Sequence, residues 1–315
     1  MWAIENTTRF EADRSFVRDV NGAEIFLVAV RATFDFDKKG NLKIADEQIP
    51  VANAPVWLGK PGASSLRWDT DLQRTKLGTD VILNGSAYAP YGQPAEMVET
   101  SMKVGPIQKK LEVTGDRIQK GHAFESKPFT RMPIVYERAL GGESSDHNPI
   151  GVGLSGGQSQ RFPNVAGGGK VAGYGALSCS WKPRRDFAGT YDSRWERKRK
   201  PLLPEDFNDR YYYAAPADQQ VPGFLKGGER VELTNLTPEG QVRFKLPRLR
   251  FGCTTFIDGG RTHHRTDLHS VIIEPDERKL VMVWHSQLPC HHTIYTLKKC
   301  VVFEKENSSS SEQVA

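Results

Sequence analysis

The chain has 315 residues, 38% hydrophobic and 10% aromatic, enough to bury a large core. No apolar run approaches the roughly 20 residues of a membrane-crossing helix, and the start lacks a charged segment leading into an apolar one, so no secretion leader is read and a cytosolic protein is expected. The formal net charge of +5 lies entirely within residues 181–200, where eight Lys/Arg face three Asp/Glu, so the rest of the chain sums to zero. Four scattered cysteines (Cys179, Cys253, Cys290, Cys300) with no C-x-x-C pattern suit a reducing compartment.

Taken in chain order, the first third reads as β-structure. "AEIFLVAVRATFDFD" (23–37) begins as a continuous apolar run and ends in alternation, the pattern of a strand buried in a sheet. "VILNGSAYAP" (81–90) predicts a further strand. "EMVETSMKV" and "KKLEVTGDR" predict a strand pair, punctuated at Gly105-Pro106. The last third returns to β-patterning. There "RVELTNLTPEGQVRFKLP" (230–247) and "HSVIIEPDERKLVMVWHS" (269–286) read as hairpins with Pro-Glu-Gly and Pro-Asp-Glu-Arg at their tips. Helical periodicity is hard to find anywhere.

The middle is different. Residues 141–175 hold 11 glycines, and residues 181–213 hold 8 aromatic side chains. Such a stretch is too loop-rich to fold alone and too aromatic for a disordered linker. The expected fold is mainly β: an antiparallel, sandwich-like core built from N- and C-terminal strands, with a long Gly/Pro/aromatic region (141–230) draped over it. One domain (1–303) is expected, comprising an N-terminal β part (1–140), that central region and C-terminal hairpins (231–303). The tail "EKENSSSSEQVA" (304–315) reads as disordered.

Two catalytic patterns occur, and their context decides their meaning. Gly151 to Gly156 fits G-x-G-x-x-G, and Gly153 to Gly157 fits G-x-S-x-G around Ser155. Both motifs need a strand before and a helix after, and neither flank supplies one. Seven candidate ligands, His263, His264, His269, His285, Cys290, His291 and His292, crowd the last fifth of the chain. Adjacent histidines such as His263-His264 point to opposite faces of a strand, and no spacing matches a zinc finger or H-E-x-x-H. One arrangement stays open: His269 and His285 on paired strands, with Cys290 or His292 nearby. Glu205, Asp206 and Asp209 are candidate acid/base groups for hydrolysis of cell-wall or carbohydrate material. For nucleic acid the basic, aromatic composition of 181–213 suits stacking, but the neutrality of the rest and the lack of a binding motif argue against it.

Many short motifs occur in an order that resembles a known family. They are Trp2, Asn6-Thr7, Thr33-Phe34-Asp35-Phe36-Asp37, Ser64-Ser65-Leu66 with Asp69 and Asp71, "KLGTDVILNGSAYAP" (76–90) and "VTGDR" (113–117). Met132-Pro133, "YERALGG" (136–142), "NPIGVG" (148–153), "WKPR" (181–184), "GTYDSRW" (189–195), "PLLPEDF" (201–207), "AAPADQ" (214–219) and "GGE" (227–229) follow. From about residue 2 to 250 the chain resembles the bacterial type VI secretion effector adaptors, long catalogued as a domain of unknown function. "ERKRK" and the histidine-rich end are not part of that resemblance.

The resemblance implies a non-catalytic, cytosolic adaptor or chaperone without a cofactor. It would bind a toxin effector, through an N-terminal or extended segment, and help place it on the secretion spike, a trimeric tip protein sometimes capped by a cone-shaped domain. No membrane contact is implied. The glycines of "NPIGVG" then serve positive φ or close backbone approach. The residues expected to hold the partner are Trp181, Tyr191, Trp195 and Phe207 as aromatic groups and Arg184, Arg185, Arg194 and Arg197 as cations. No metal is assigned to the site.

Overall fold

The computed structural model describes residues 3–74, 76–120, 123–153, 162–167, 169, 171–290 and 294–306. Trp2, Leu154 to Gly157 of the two glycine motifs, His291, His292 and the tail from Asn307 onward lie outside the described residues.

The apolar run at 23–37 becomes the 13-residue strand Glu24–Phe36, and it pairs antiparallel with Lys279–Pro289, from Asp35 opposite Lys279 to Ile25 opposite Pro289. N-terminal and C-terminal segments of the chain therefore pair inside one sheet. Its strands run in the order Gln220–Pro222, Gly78–Leu83, Asp267–Glu274, Lys279–Pro289, Glu24–Phe36, Glu11–Arg18, with Leu42–Ile44 added beside Glu24–Phe36. The two C-terminal hairpins and the hairpin at Gly105-Pro106 form where the turn residues placed them. Among the described strands, two pairings depart from the antiparallel expectation: Gly78–Leu83 lies parallel to Asp267–Glu274, and Ala3–Asn6 lies parallel to Leu297–Glu304. Both join segments far apart in the chain, where no hairpin turn dictates direction.

Both faces of the large sheet are covered, which explains why its central strands are continuous apolar runs. On one face Val81, Leu83, Val271, Ile273, Leu280 and Met282 join the main core. That core is shared with a five-stranded sheet (Val165–Ala166, Ile107–Thr114, Met97–Val104, Arg230–Thr234, Gln241–Lys245) and a four-stranded one (Ala3–Asn6, Leu297–Glu304, Phe251–Ile257, Gly260–Arg265). Phe36 stacks on Phe244 at 5.2 Å across the layers. The five-stranded sheet has one face inward, so Met97–Val104 and Ile107–Thr114 alternate between buried and exposed.

On the other face Ile82, Ile272, Val281 and Val283 meet Ala52, Leu66, Trp68, Ala176, Ala214 and Ala215. These partners come mostly from irregular chain, which brings unpaired backbone groups into the interior. Polar side chains of the sheet and its neighbours satisfy them. Asp80 accepts from the Ala214 amide (2.8 Å) and from Lys76 (2.7 Å). The Gln219 amide donates to the carbonyls of Val81 and Tyr174. Asp71 accepts from the Ala52 amide and from Arg31 at 2.6 Å, and the fully buried Arg31 guanidinium lies 4.5 Å from the Trp68 ring centre.

Removing one member of a buried ion pair leaves the other charge without compensation. Asp71→Ala is expected to lower the unfolding free energy by about 3–5 kcal/mol. Urea denaturation checks this; a loss below about 1 kcal/mol would mean that Trp68 and the neighbouring dipoles suffice for Arg31.

Candidate functional site

Residues 181–213 form no strand. They fold as three short helical segments, Arg184–Phe187, Ser193–Lys198 and Asp209–Tyr212, the middle one a six-residue α-helix and the others 3-10 turns. The eight side chains expected to hold a partner divide between interior and surface.

Trp181 and Arg184 are interior, a correction to the expectation that both face a partner. Trp181 packs edge-on against Tyr136 at 5.4 Å in a small cluster with Val171 and Leu177. Arg184 is 2% exposed. Its guanidinium pairs with Asp69 at 2.7 Å and donates to the carbonyls of Leu177 (2.6 Å) and Tyr211 (2.9 Å). Phe207 is half-buried, packed between Tyr211 and Tyr212 at 5.5 Å from each. Arg185 is half-exposed and paired with Asp146 at 2.9 Å.

Tyr191, Arg194, Trp195 and Arg197 come together on the α-helix and the residues before it. Asp192 caps the helix, its carboxylate accepting from the Trp195 amide at 2.8 Å. Trp195 is half-buried and its indole N–H donates to the Leu202 carbonyl. Tyr191 is 54% exposed and meets the Trp195 ring edge-on at 4.7 Å. Arg194 and Arg197 are exposed. A cavity of about 340 Å³ lies alongside, lined by Trp195, Arg194, Lys198 and Arg199 on one part and Thr190, Asp192, Glu205 and Asp206 on another.

Two groups absent from the expected set fix this knob. Arg199 donates to the carbonyls of Leu203 and Val20, tying the helix end to the turn before Glu24–Phe36. Gly189, at φ +81°, leaves no room for a Cβ, which would sit 2.8 Å from Pro204 and 2.9 Å from the Asp206 carboxylate. That approach lets the Asp206 carboxylate accept from the Thr190 amide and hydroxyl. Asp206 is held below the usual carboxylate range by those Thr190 bonds. Asp209 is engaged with Arg74 at 3.0 Å and does not line the cavity.

The histidines also divide. His263 and His264 do face opposite ways, His263 bonding Thr254 and His264 bonding Thr255 and Ser286. His269 and His285 approach each other as their hairpin implied, stacked at 4.2 Å between ring centres. Cys290 sits apart in the main core. Burial pushes the His269 imidazole well below its ordinary value and brings His285 down to about 3, with the cation of Lys76 adding to the effect in both. Gly151 serves close approach: a Cβ there would lie 2.3 Å from the Asn148 amide nitrogen and 2.7 Å from the Ala139 carbonyl. Among the described residues, no helix is long and apolar enough to cross a membrane.

A family model described as an uncharacterized protein conserved in bacteria (DUF2169) matches residues 21–285. Searches of the curated proteins and of the solved structures find no match.

Arg184→Met leaves Asp69 and two carbonyls without their donor, and a loss of about 3–5 kcal/mol in stability is expected. Arg197→Ala should stay within about 0.5 kcal/mol of the unsubstituted chain. Thermal and chemical denaturation of the two variants side by side separates a positioning arginine from a surface one.

The stacked histidines set a pH dependence. Both are neutral when folded, whereas the unfolded chain protonates them below about pH 6.5. The unfolded state then binds more protons, so stability falls as pH drops from about 6.5. His285→Gln should make the profile shallower between about pH 7 and about pH 5. Equal slopes in urea titrations of the two chains would contradict the assignment.

Proposed function

We propose that this chain, which belongs to the bacterial DUF2169 family, is a non-catalytic adaptor that holds a toxin effector for type VI secretion and helps load it onto the spike tip or its cap. The observation that carries the reading is the exposed Tyr191 braced by Trp195 on a capped, basic helix. An aromatic pair of this kind presents apolar area at low entropic cost, with cations around it. The effector would be held in the cytosol of the producing cell before export.

The knob is mounted beside a sheet edge. Arg199 reaches the Val20 carbonyl, and Val20 follows Glu11–Arg18, the last strand in the order of the large sheet. An extended effector segment would end against Tyr191 and Trp195. Arg194 and Arg197 would steer acidic partner groups, each worth about 0–1 kcal/mol at an exposed rim.

Hydrolysis through Glu205, Asp206 and Asp209 finds less support. A general acid needs a raised pKa, and Asp206 is shifted the other way by Thr190. Asp192 is engaged as a helix cap and Asp209 with Arg74.

A tagged chain recovered from its native cytosol at low and moderate salt should retain one large effector or a spike component. With that partner in hand, Tyr191→Ala should weaken binding by about 30-fold, the ~2 kcal/mol of an interface anchor. Arg194→Ala and Arg197→Ala should each cost about fivefold or less, and only at low salt. Binding unchanged in Tyr191→Ala would refute the anchor. Nucleic acid lost on raising salt, or turnover abolished by Glu205→Gln, would refute the adaptor.

A further inference from the structure

Three strands of the four-stranded sheet bring soft metal ligands to one point. Phe251–Ile257 lies between Gly260–Arg265 and Leu297–Glu304. In its register Cys253 stands opposite His264, and Thr255 stands opposite Cys300. Residues opposed in an antiparallel pair share a face, and positions two apart along a strand share it too. Cys253, His264 and Cys300 therefore converge from three neighbouring strands. Two thiol sulfurs and one imidazole nitrogen all lie within 4.8 Å of one another.

We propose that Cys253, His264 and Cys300 bind a zinc ion that clamps the edge strand Gly260–Arg265 to the rest of its sheet. Two sulfurs and an imidazole are the donor set of a tetrahedral zinc site with one position left open. Bonds of about 2.0–2.3 Å place tetrahedral ligands about 3.4–3.8 Å apart, so side-chain shifts of about 1 Å close the set. Both cysteines are fully buried.

The surroundings supply what such a site needs besides ligands. Nδ1 of His264 is hydrogen-bonded to the Ser286 hydroxyl and Nε2 to that of Thr255. Whichever nitrogen takes the metal, the other keeps a hydroxyl that orients the ring. A cavity of about 590 Å³ is lined by Cys253, His264 and Ser286 together with Phe224, His269 and Phe303. It gives the ion a route in and room for a water as fourth ligand. Ser286 belongs to Lys279–Pro289, so the site also lies against the large sheet. None of this depends on the adaptor reading.

The test uses the full chain purified under reducing conditions, with zinc content measured directly. The chain stripped by chelator is then titrated with Co²⁺. The expected result is one Co²⁺ per chain, with the strong visible bands of a tetrahedral ion and a sulfur-to-cobalt charge-transfer band, both erased by Zn²⁺. Cys253→Ser, Cys300→Ser and His264→Asn should each weaken Co²⁺ binding by at least about 100-fold, while His263→Asn and Cys290→Ser leave it unchanged. In the unsubstituted chain, held in urea just below its unfolding transition so that buried thiols open transiently, Zn²⁺ should slow iodoacetamide labelling of Cys253 and Cys300 by at least about tenfold and leave the exposed Cys179 unaffected. That labelling decides the matter if the cysteine variants do not fold. A pale octahedral spectrum, labelling indifferent to Zn²⁺, or Cys253 and Cys300 recovered as an oxidised pair without metal would overturn the proposal.

Discussion

The Arg184 guanidinium holds three loops at once, through Asp69, the Leu177 carbonyl and the Tyr211 carbonyl. The need it meets is general to this fold. A sheet face normally covered by helices or a second sheet is covered here by irregular chain, whose backbone groups have no ladder of their own. Buried side chains at fixed points substitute for that ladder: Arg184, the Arg31–Asp71 pair, and Asp80 with Lys76 and the Ala214 amide. The isolated charges would be costly, but each is matched by an opposite charge, and Arg184, Asp71 and Asp80 also bond main-chain groups.

This scaffold determines what the surface can present. Because Trp181 and Arg184 anchor one end of the 181–213 segment inside, the stretch between Gly189 and Leu202 is lifted outward as a knob. The Asp192 cap, the Thr190–Asp206 tether and the reach of Arg199 to Val20 hold the knob without burying it. Exposed aromatic area is thus combined with a fixed backbone, the combination that lowers the entropic cost of association.

Much of this architecture was legible in the amino-acid sequence. The run ending in Thr33-Phe34-Asp35-Phe36, the Gly105-Pro106 turn and the two C-terminal hairpins were readable because periodicity and turn chemistry are local. The helix Ser193–Lys198 was not, since six residues are fewer than two turns and give no amphipathic period. Asp192 ahead of Ser193 was its one available signal, a helix cap. Trp181 and Trp195 are alike by composition and context; what separates them is Tyr136, distant in sequence, which covers only the first. Arg184 and Arg194 differ for the same reason, because Asp69 arrives from another loop. The meeting of Cys253, His264 and Cys300 is a matter of strand register, which no spacing within the sequence displays.

The contact between Arg199 and Val20 has a mechanical consequence. The Asp19 carboxylate accepts from the amides of Asn21 and Ala23, and Gly22 lies against Leu202, so the turn beneath the knob is a stiff mount. That turn leads directly into Glu24–Phe36, the strand hydrogen-bonded along its length to neighbours on both sides. A load applied to Tyr191 and Trp195 is therefore carried into the large sheet, where many hydrogen bonds share it, and not into a loop that could peel away.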